Sequence, residues 1–190
     1  LKAGQKAVDP ALQVPDDGFI KEVVDQTAGA INYYRAGTQD RIEVMPTGDP
    51  GFGLKVGAEF SPMSISGVGF ALQSAATLRE AIVMVQRFQR LISDGGRFQV
   101  VAGNAATWLV YHPRQGRLAF SPHQIEAVLA SVVGFGSWVT GTRMQPSRVQ
   151  FSQPRLGPLA GYQTVFNCPV EFEQAFSGVL VDNSVLDQPL

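Results

Sequence analysis

The sequence predicts an α+β fold in which a mainly antiparallel sheet of about five strands packs with several helices. Residues 77–93 repeat apolar side chains at three- and four-residue steps, as a helix facing a core does. After Gly96 the period falls to about two, which is typical of strands. A second helical stretch, from Ser121 to Gly141, separates the first strands from the later ones. The predicted order is α-α-α-β-β-α-β-α-β-β, with elements mixed along one chain as in the α+β class.

Length and composition are those of a folded domain. The 190 residues fit a single domain over residues 1–190, and 45% apolar with 16% charged residues excludes a disordered chain. A net charge of −1 excludes strong electrostatic binding of nucleic acid by these residues. The single cysteine, Cys168, excludes an internal disulfide framework and indicates the reducing cytoplasm. The most apolar run, Ile125 to Val139, is shorter than the ~18 residues that a membrane-spanning helix needs.

The N-terminal third gives the weakest patterns. The spacing predicts a helix over residues 17–29, and the polar, irregular residues 30–50 are interpreted as an extended loop or an insertion. Gly51-Phe52-Gly53 is interpreted as a turn, because no strand precedes it and no third glycine completes a dinucleotide fingerprint. Ser61-Pro62 predicts the start of a helix that ends near Gln73.

The middle of the chain carries clear helix and turn patterns. Thr77-Leu78-Arg79-Glu80 is a capping box for the helix over residues 77–93. Gly103-Asn104 lies between two alternating stretches and predicts a β-hairpin. Ser121-Pro122-His123-Gln124 is a second capping box, and Gly141 ends the helix that it opens.

The last third predicts short elements. Residues 148–152 alternate as a half-exposed strand does, and residues 159–166 predict a short helix. Two strands follow at 170–173 and 178–181, and Asp182 or Asn183 caps a last turn that ends near residue 190.

Catalytic and metal-binding patterns are scarce. No nucleophile elbow, zinc-protease, P-loop or dinucleotide motif is present, so we expect no catalytic residue, metal or cofactor. His112 and His123 stand without a nearby carboxylate or cysteine cluster, although a single histidine can hold a haem. Cys168 is either a nucleophile or a small buried apolar residue, and Glu171 and Glu173 are expected on the solvated side of a strand.

Five residues are candidates for a ligand pocket. Trp108 and Trp138 combine a large apolar ring with one hydrogen-bond donor, and Arg90, Tyr111 and Glu126 lie at the edges of predicted apolar faces. An arginine and a glutamate can hold the two charged ends of an amino acid. The same residues also fit ordinary core or surface positions, and the sequence leaves both interpretations open.

Six segments, taken in order over residues 50–190, resemble one known family. Residues 69–81, GFALQSAATLREA, are similar to the pattern GYALLSS-TLGEAL in the N-terminal effector-sensing domain of one branch of AraC-type transcriptional regulators. Further similarities to the same branch are GLKVG at 53–57, RFQRL at 87–91, VQF at 149–151, FNCPVEF at 166–172, and the end of the chain from Val179 to Leu190. Residues 30–48 depart from the pattern.

The resemblance implies a non-enzymatic, cytoplasmic sensing domain. It would bind a small effector, such as ornithine, arginine or an apolar acid, and control DNA binding by a C-terminal helix-turn-helix domain. This chain begins with Leu1, ends at Leu190 and contains no basic helix-turn-helix, so we expect it to be the sensing part of a longer protein. A homodimer is compatible with this function, and a membrane is not an expected partner. The alternatives are a haem or gas sensor and a small enzyme that uses Cys168 or His112.

Overall fold

The computed structural model describes residues 20–24, 30–35, 41–46, 48–59, 66–72, 74–93, 95–114 and 121–190. The strands within these residues are β1 (Ile20–Val24), β2 (Ala30–Arg35), β3 (Arg41–Pro46), β4 (Gly96–Ala102), β5 (Ala106–Pro113), β6 (Arg148–Gln150), β7 (Val170–Glu171) and β8 (Ser177–Asp182). The helices are α1 (Phe52–Ala58), α2 (Ser66–Leu72), α3 (Leu78–Ile92), α4 (Pro122–Thr140), α5 (Leu159–Phe166) and α6 (Asn183–Leu186).

The larger sheet has five strands in the order β4-β5-β8-β6-β7. The β4–β5, β5–β8 and β8–β6 pairs are antiparallel, and the β6–β7 pair is parallel. The predicted α+β class and mainly antiparallel sheet are therefore confirmed. β1, β2 and β3 form a separate antiparallel sheet.

α4 is the central helix of the described fold. Its apolar side chains Ile125, Leu129 and Val133 join a core that also contains Leu109 and Val179 from the sheet. On another side, α4 receives α1 at very short range, because a Cβ atom on Gly57 would collide with the backbone oxygen of Ala127. Since α4 is covered on more than one side, its buried residues are not restricted to one stripe.

The two long helices begin differently. At α3 the Thr77 hydroxyl accepts from the Glu80 amide at 3.2 Å, so the predicted N-cap is confirmed. The Glu80 carboxylate reaches back one residue further than in a standard capping box and accepts from the Ala76 amide at 2.7 Å. At α4 the predicted capping box is wrong, since Ser121 makes no side-chain cap bond and its buried hydroxyl has no hydrogen-bond partner. Pro122 fixes the start of α4, and Gly141 ends it with a φ of 64°.

Three N-terminal predictions are wrong. Residues 20–24, placed in a predicted helix over 17–29, form strand β1. The loop predicted over residues 30–50 contains β2 and β3. Gly51-Phe52-Gly53 does not form an isolated turn, because α1 begins at Phe52.

The remaining elements follow the prediction closely. α2 lies inside the helix predicted from 61 to 73, of which residues 61–65 and Gln73 lie outside the described residues. The hairpin, α4, β6, α5, β7, β8 and the final helical turn α6 all occur where the sequence predicts them, within a few residues at their ends.

Candidate functional site

A cavity of about 120 Å³ lies between α3, α4 and one face of the large sheet. Its wall consists of Leu78, Ile82, Val85, Gln86 and Ile92 from α3, Phe98, Val100 and Leu109 from β4 and β5, Ser131, Val132, Phe135 and Gly136 from α4, and Met144. Two helices, two strands and Met144 therefore supply the wall, and a shift of either helix changes its shape.

The local rules of helix and strand bring these side chains together. Ile82 and Val85 are three residues apart on α3, so they lie on one face of the helix. On the sheet, Val100 is directly opposite Leu109 in the β4–β5 register, so both side chains point to the same face.

The wall of this cavity is apolar apart from two neutral side chains. Ser131 uses its hydroxyl hydrogen on the backbone oxygen of Val128, at 2.8 Å within α4. Gln86 contributes the second polar side chain, and none of the lining residues is charged. A ligand here would therefore meet hydrocarbon on most of its surface.

A second, polar cluster lies where α4 meets α1 and α5. The Tyr162 hydroxyl donates to one carboxylate oxygen of Glu126, and His123 Nδ1 lies 3.3 Å from the other. The Glu126 residue is 1% exposed and Tyr162 is fully buried. Burial raises the pKa of the Tyr162 phenol, and its hydrogen bond to Glu126 raises that pKa further. The phenol therefore stays protonated and keeps donating to the carboxylate.

No space for a ligand is evident inside this cluster. A Cβ atom added at Gly53 would lie 2.9 Å from Glu126 Oε2, so the backbone of α1 closes against the carboxylate. The amide of Leu156 donates to the Tyr162 hydroxyl at 3.2 Å and occupies its acceptor side. The Glu126 cluster thus acts as a structural junction of α1, α4 and α5.

The start of α3 is tied to the last residues of the chain. Arg79 Nε donates to Asp187 Oδ1 at 2.5 Å, and Arg79 Nη2 donates to Asp187 Oδ2 at 3.0 Å. Thr77 forms an isolated bridge with Pro189, and the Leu190 amide donates to the Ala76 carbonyl at 3.0 Å. The helix that lines the cavity therefore holds the segment that follows β8.

The family model that matches residues 44–190 describes the arabinose-binding domain of AraC transcription regulators, at their N-terminus. It covers well over half of the sequence. The chain belongs to this family. The suggested resemblance to AraC-type regulators is thereby confirmed.

Two relatives of this AraC-type domain come from Pseudomonas aeruginosa. The ornithine utilization regulator is 22% identical over 169 residues, which are 89% of this chain and 50% of that protein. The crystal structure of the transcriptional regulator CdpR matches 74% of this chain and 46% of its own, with a TM-score of 0.56 and 19% identity, and supports the fold alone. The chain spans about half the length of each.

Of the five residues predicted to line a pocket, two lie at helix ends near the surface. Arg90 is exposed in the last turn of α3. Trp138 is 43% exposed near the end of α4, with its ring centroid 6.4 Å from that of Phe135. Phe135 lines the cavity and Trp138 does not.

The other three occupy separate environments. Trp108 and Tyr111 are three positions apart on β5 and therefore point to opposite faces of the sheet. Trp108 packs edge-on against Phe176 at 5.2 Å, whereas Tyr111 is buried and bonds to Gln124. With Glu126 engaged in its own cluster, the structure does not bring the five residues together, and none of them lines the cavity between α3 and α4.

The remaining candidates for chemistry show no assembled site. Burial raises the pKa of the half-buried Cys168 thiol to about 11. His112 lies exposed on β5 with its Nε2 2.8 Å from Gln99 Oε1. Over the described residues, no group of three His, Cys, Asp or Glu side chains is placed to hold a metal ion. In the same part of the chain, no helix has both the length and the apolar character to cross a membrane.

Proposed function

We propose that this chain is the effector-sensing domain, extending over residues 1–190, of an AraC-type transcription regulator. The effector occupies the cavity between α3, α4 and the sheet, and its binding changes how a C-terminal domain engages DNA. The observation that carries the proposal is that one helix, α3, both lines the cavity and holds the C-terminal segment of the chain. The net charge of −1 is in keeping with DNA contacts made by another domain.

The signal passes through α3 in this proposal. A ligand shifts a conformational equilibrium only if it binds the two states with different affinities. A molecule between α3 and α4 favours the spacing of these helices that fits it, and α3 carries Arg79 and its bond to Asp187 along. The segment after α6 then takes up one of two positions, which is the change that a DNA-binding domain attached there would receive.

Two chemical classes are candidates for the effector. An amino acid such as ornithine or arginine is supported by one relative, the ornithine utilization regulator. An apolar molecule is supported by the lining of the cavity, in which no residue is charged. Of the five predicted pocket residues, Arg90 and Trp138 are exposed and stay a proposal for contacts to a charged effector outside this cavity. Trp108, Tyr111 and Glu126 lie in the separate environments described above. A regulatory, non-enzymatic role in the cytoplasm, with self-association as a homodimer, completes the proposal.

A ligand screen on the full-length protein tests the sensing role. Ornithine, arginine, short-chain acids and small neutral apolar compounds are added in a thermal-shift assay. At a concentration of 100 times Kd, a ligand specific for the folded state adds about 2.7 kcal/mol of stability and raises Tm. The compound that raises Tm is expected to change DNA binding as well. The proposal fails if no compound moves Tm and the protein regulates its promoter without any effector.

A further inference from the structure

The size and lining of the cavity restrict the kind of molecule that it can hold. We infer that the cavity takes a small, uncharged and largely apolar molecule with at most one neutral hydrogen-bonding group, such as a phenol or a short ketone. This inference rests on the proposed sensing function, because it names the ligand class of that same site.

Volume sets the first limit. An engineered apolar protein cavity of about 150 Å³ stays dry and binds benzene. The cavity described here has about 120 Å³ and is lined by comparable aliphatic and aromatic side chains. A molecule of about benzene's size therefore matches the space that α3, α4 and the sheet leave between them.

Charge sets the second limit. An amino acid carries a carboxylate and at least one ammonium group, and a buried ion needs a counter-charge or several hydrogen bonds. The thirteen lining residues include no acid and no base. An ammonium or carboxylate group of ornithine or arginine placed against this wall would meet no counter-charge.

Hydrogen-bonding capacity sets the third limit. Gln86 and Ser131 are the polar side chains of the wall, and the Ser131 hydroxyl already donates to Val128. A sugar presents several hydroxyl groups that each need a partner when buried. Gln86 and the Ser131 oxygen can satisfy one neutral polar group, but they cannot satisfy the several hydroxyl groups of a sugar.

Methyl NMR on the full-length protein tests the ligand class directly. Benzene and phenol are titrated while the methyl signals of Ile82 and Leu109 are followed, and benzoate, ornithine and arabinose serve as charged or polar comparisons. We expect saturable shifts with benzene and phenol, and none with the other three at about tenfold higher concentration. If ornithine, arabinose or benzoate shifts these methyl signals saturably, the inferred ligand class is wrong, while the sensing function stands.

A matched pair of substitutions locates the binding. Val85→Phe fills the cavity from α3 and is expected to weaken phenol binding by about tenfold or more, whereas Val83→Phe, on the exposed face of the same helix, leaves it within about twofold. If Val85→Phe does not fold, Ile82→Ala replaces it, and the enlarged cavity should bind toluene more tightly than the unmodified protein does. Equal phenol affinity in the Val85→Phe and Val83→Phe proteins, or unchanged toluene affinity in Ile82→Ala, would overturn the inference.

DNA binding separates this inference from the proposed function. If phenol binds in the cavity but leaves DNA affinity unchanged, the ligand class is correct and the sensing role of the cavity fails. If no apolar probe enters the cavity but another compound alters DNA binding, the sensing function survives and the inferred ligand class is wrong.

Discussion

Glu126 is a carboxylate residue that lies almost completely out of water, at 1% exposure, with Tyr162 as its hydroxyl donor. Tyr162→Phe removes that donor and leaves both the carboxylate and the Leu156 amide short of a partner. Since an unsatisfied buried polar group costs about 1–3 kcal/mol, we expect the free energy of unfolding to fall by about that amount. Urea denaturation followed by circular dichroism measures the change.

Thr164→Val is the matched control for that substitution. Thr164 is exposed on the same helix, α5, and its hydroxyl donates to the Ala160 carbonyl at 2.9 Å. Valine keeps the Thr164 backbone carbonyl, which accepts from Arg143 at 2.7 Å. Its replacement should change the unfolding free energy by less than about 0.5 kcal/mol. Equal losses of unfolding free energy in the Tyr162 and Thr164 variants would show that the hydrogen bond from Tyr162 to Glu126 does not stabilise the fold.

Cys168 tests the enzymatic alternative at the level of one thiol. Burial raises its pKa to about 11, so at pH 8 only about one thiol in a thousand is the reactive thiolate. We expect the folded protein to react with a disulfide reagent at pH 8 about two orders of magnitude more slowly than free cysteine. Urea should restore the normal rate, and rapid labelling of the folded protein would instead support a nucleophilic cysteine.

The relation between Trp108 and Tyr111 shows how far sequence reasoning on single residues reaches. The hairpin was correctly predicted, and the three-residue separation on one strand already places these side chains on opposite faces. That parity by itself separates Trp108 from Tyr111. Trp108 contacts Phe176 and Tyr111 bonds to Gln124, and both partners lie in other elements. The local pattern of β5 therefore does not predict either contact.

Among the elements, α1 depends on glycine for its contact with α4. A Cβ atom at Gly57 would lie 2.6 Å from Ala130 Cβ, so Gly57→Ala forces the two helices apart. Overpacking of this kind costs about 1–3 kcal/mol, which exceeds the roughly 1 kcal/mol that alanine gains over glycine in helix propensity. We expect a net loss of stability, measured by chemical denaturation.

Gly161→Ala is the control of opposite sign. Gly161 lies exposed on α5, and a Cβ atom there would meet only Leu54 Cδ1, at an ordinary 3.6 Å. Removing the glycine should therefore stabilise the protein by about 0.5–1 kcal/mol. If both alanine variants shift stability in the same direction, close packing of α1 on α4 is not the cause.

The ion pair between α3 and the segment after α6 gives a prediction about pH. The hydrogen bond from Arg79 holds the pKa of Asp187 below its usual range. Because the folded pKa is lowered, the contribution of the pair is present above the unfolded value of about 3.9 and is lost as the pH falls through the folded pKa. Carboxyl-carbon NMR should show Asp187 titrating low, and Arg79→Gln should return it toward the usual value.

Asp49 provides an internal control for that titration. Its pKa is also lowered, chiefly by the side-chain hydrogen bond from Lys55 at 2.5 Å, a contact that does not involve α3. Arg79→Gln should leave the Asp49 titration unchanged. A parallel rise of both pKa values would point to a general loss of structure, and an unchanged Asp187 would show that the contact with Arg79 is absent in solution.

The elements differ in how visible they are in the sequence. α3 was predicted because its capping box and periodicity agree. β1 is not predicted because Ile20, Val23 and Val24 have a spacing that fits a helix, and the strand is too short for an alternating pattern to show. α1 is not predicted because its glycines disfavour a helix locally. These glycines allow the close approach of α1 to α4, which depends on tertiary packing and has no local sequence pattern.

At the scale of the whole molecule, the cavity between α3, α4 and the sheet is the feature that the sequence alone does not predict. The apolar faces of α3 and α4 were predicted as core, and residues such as Leu78, Ile82 and Val85 do face inward. Whether two helices and a sheet meet without a gap depends on their spacing and on the volumes of side chains contributed by all three. Periodicity identifies which side chains face inward and carries no information about unfilled space.

The whole molecule connects this cavity to the C-terminal segment, and that connection can be broken selectively. In the full-length protein, Arg79→Gln should leave the affinity for a cavity ligand within about twofold, because Arg79 does not line the cavity. It should nevertheless reduce the ligand-dependent change in DNA affinity, since allosteric coupling is a free energy separate from either binding step. Calorimetry and DNA titration with and without ligand measure the two quantities.

Two further variants make the Arg79→Gln result specific. Arg148→Gln removes another exposed arginine, which lies 3.5 Å from Glu171 at the opposite edge of the sheet from β4, and should preserve both ligand binding and the DNA response. Val85→Phe, which fills the cavity, should lose both ligand binding and the DNA response.

If Arg79→Gln keeps the full DNA response, the signal leaves the cavity by a route other than the start of α3, for example through α4. A response lost equally in the Arg79 and Arg148 variants would reflect charge on the surface and not the bond to Asp187.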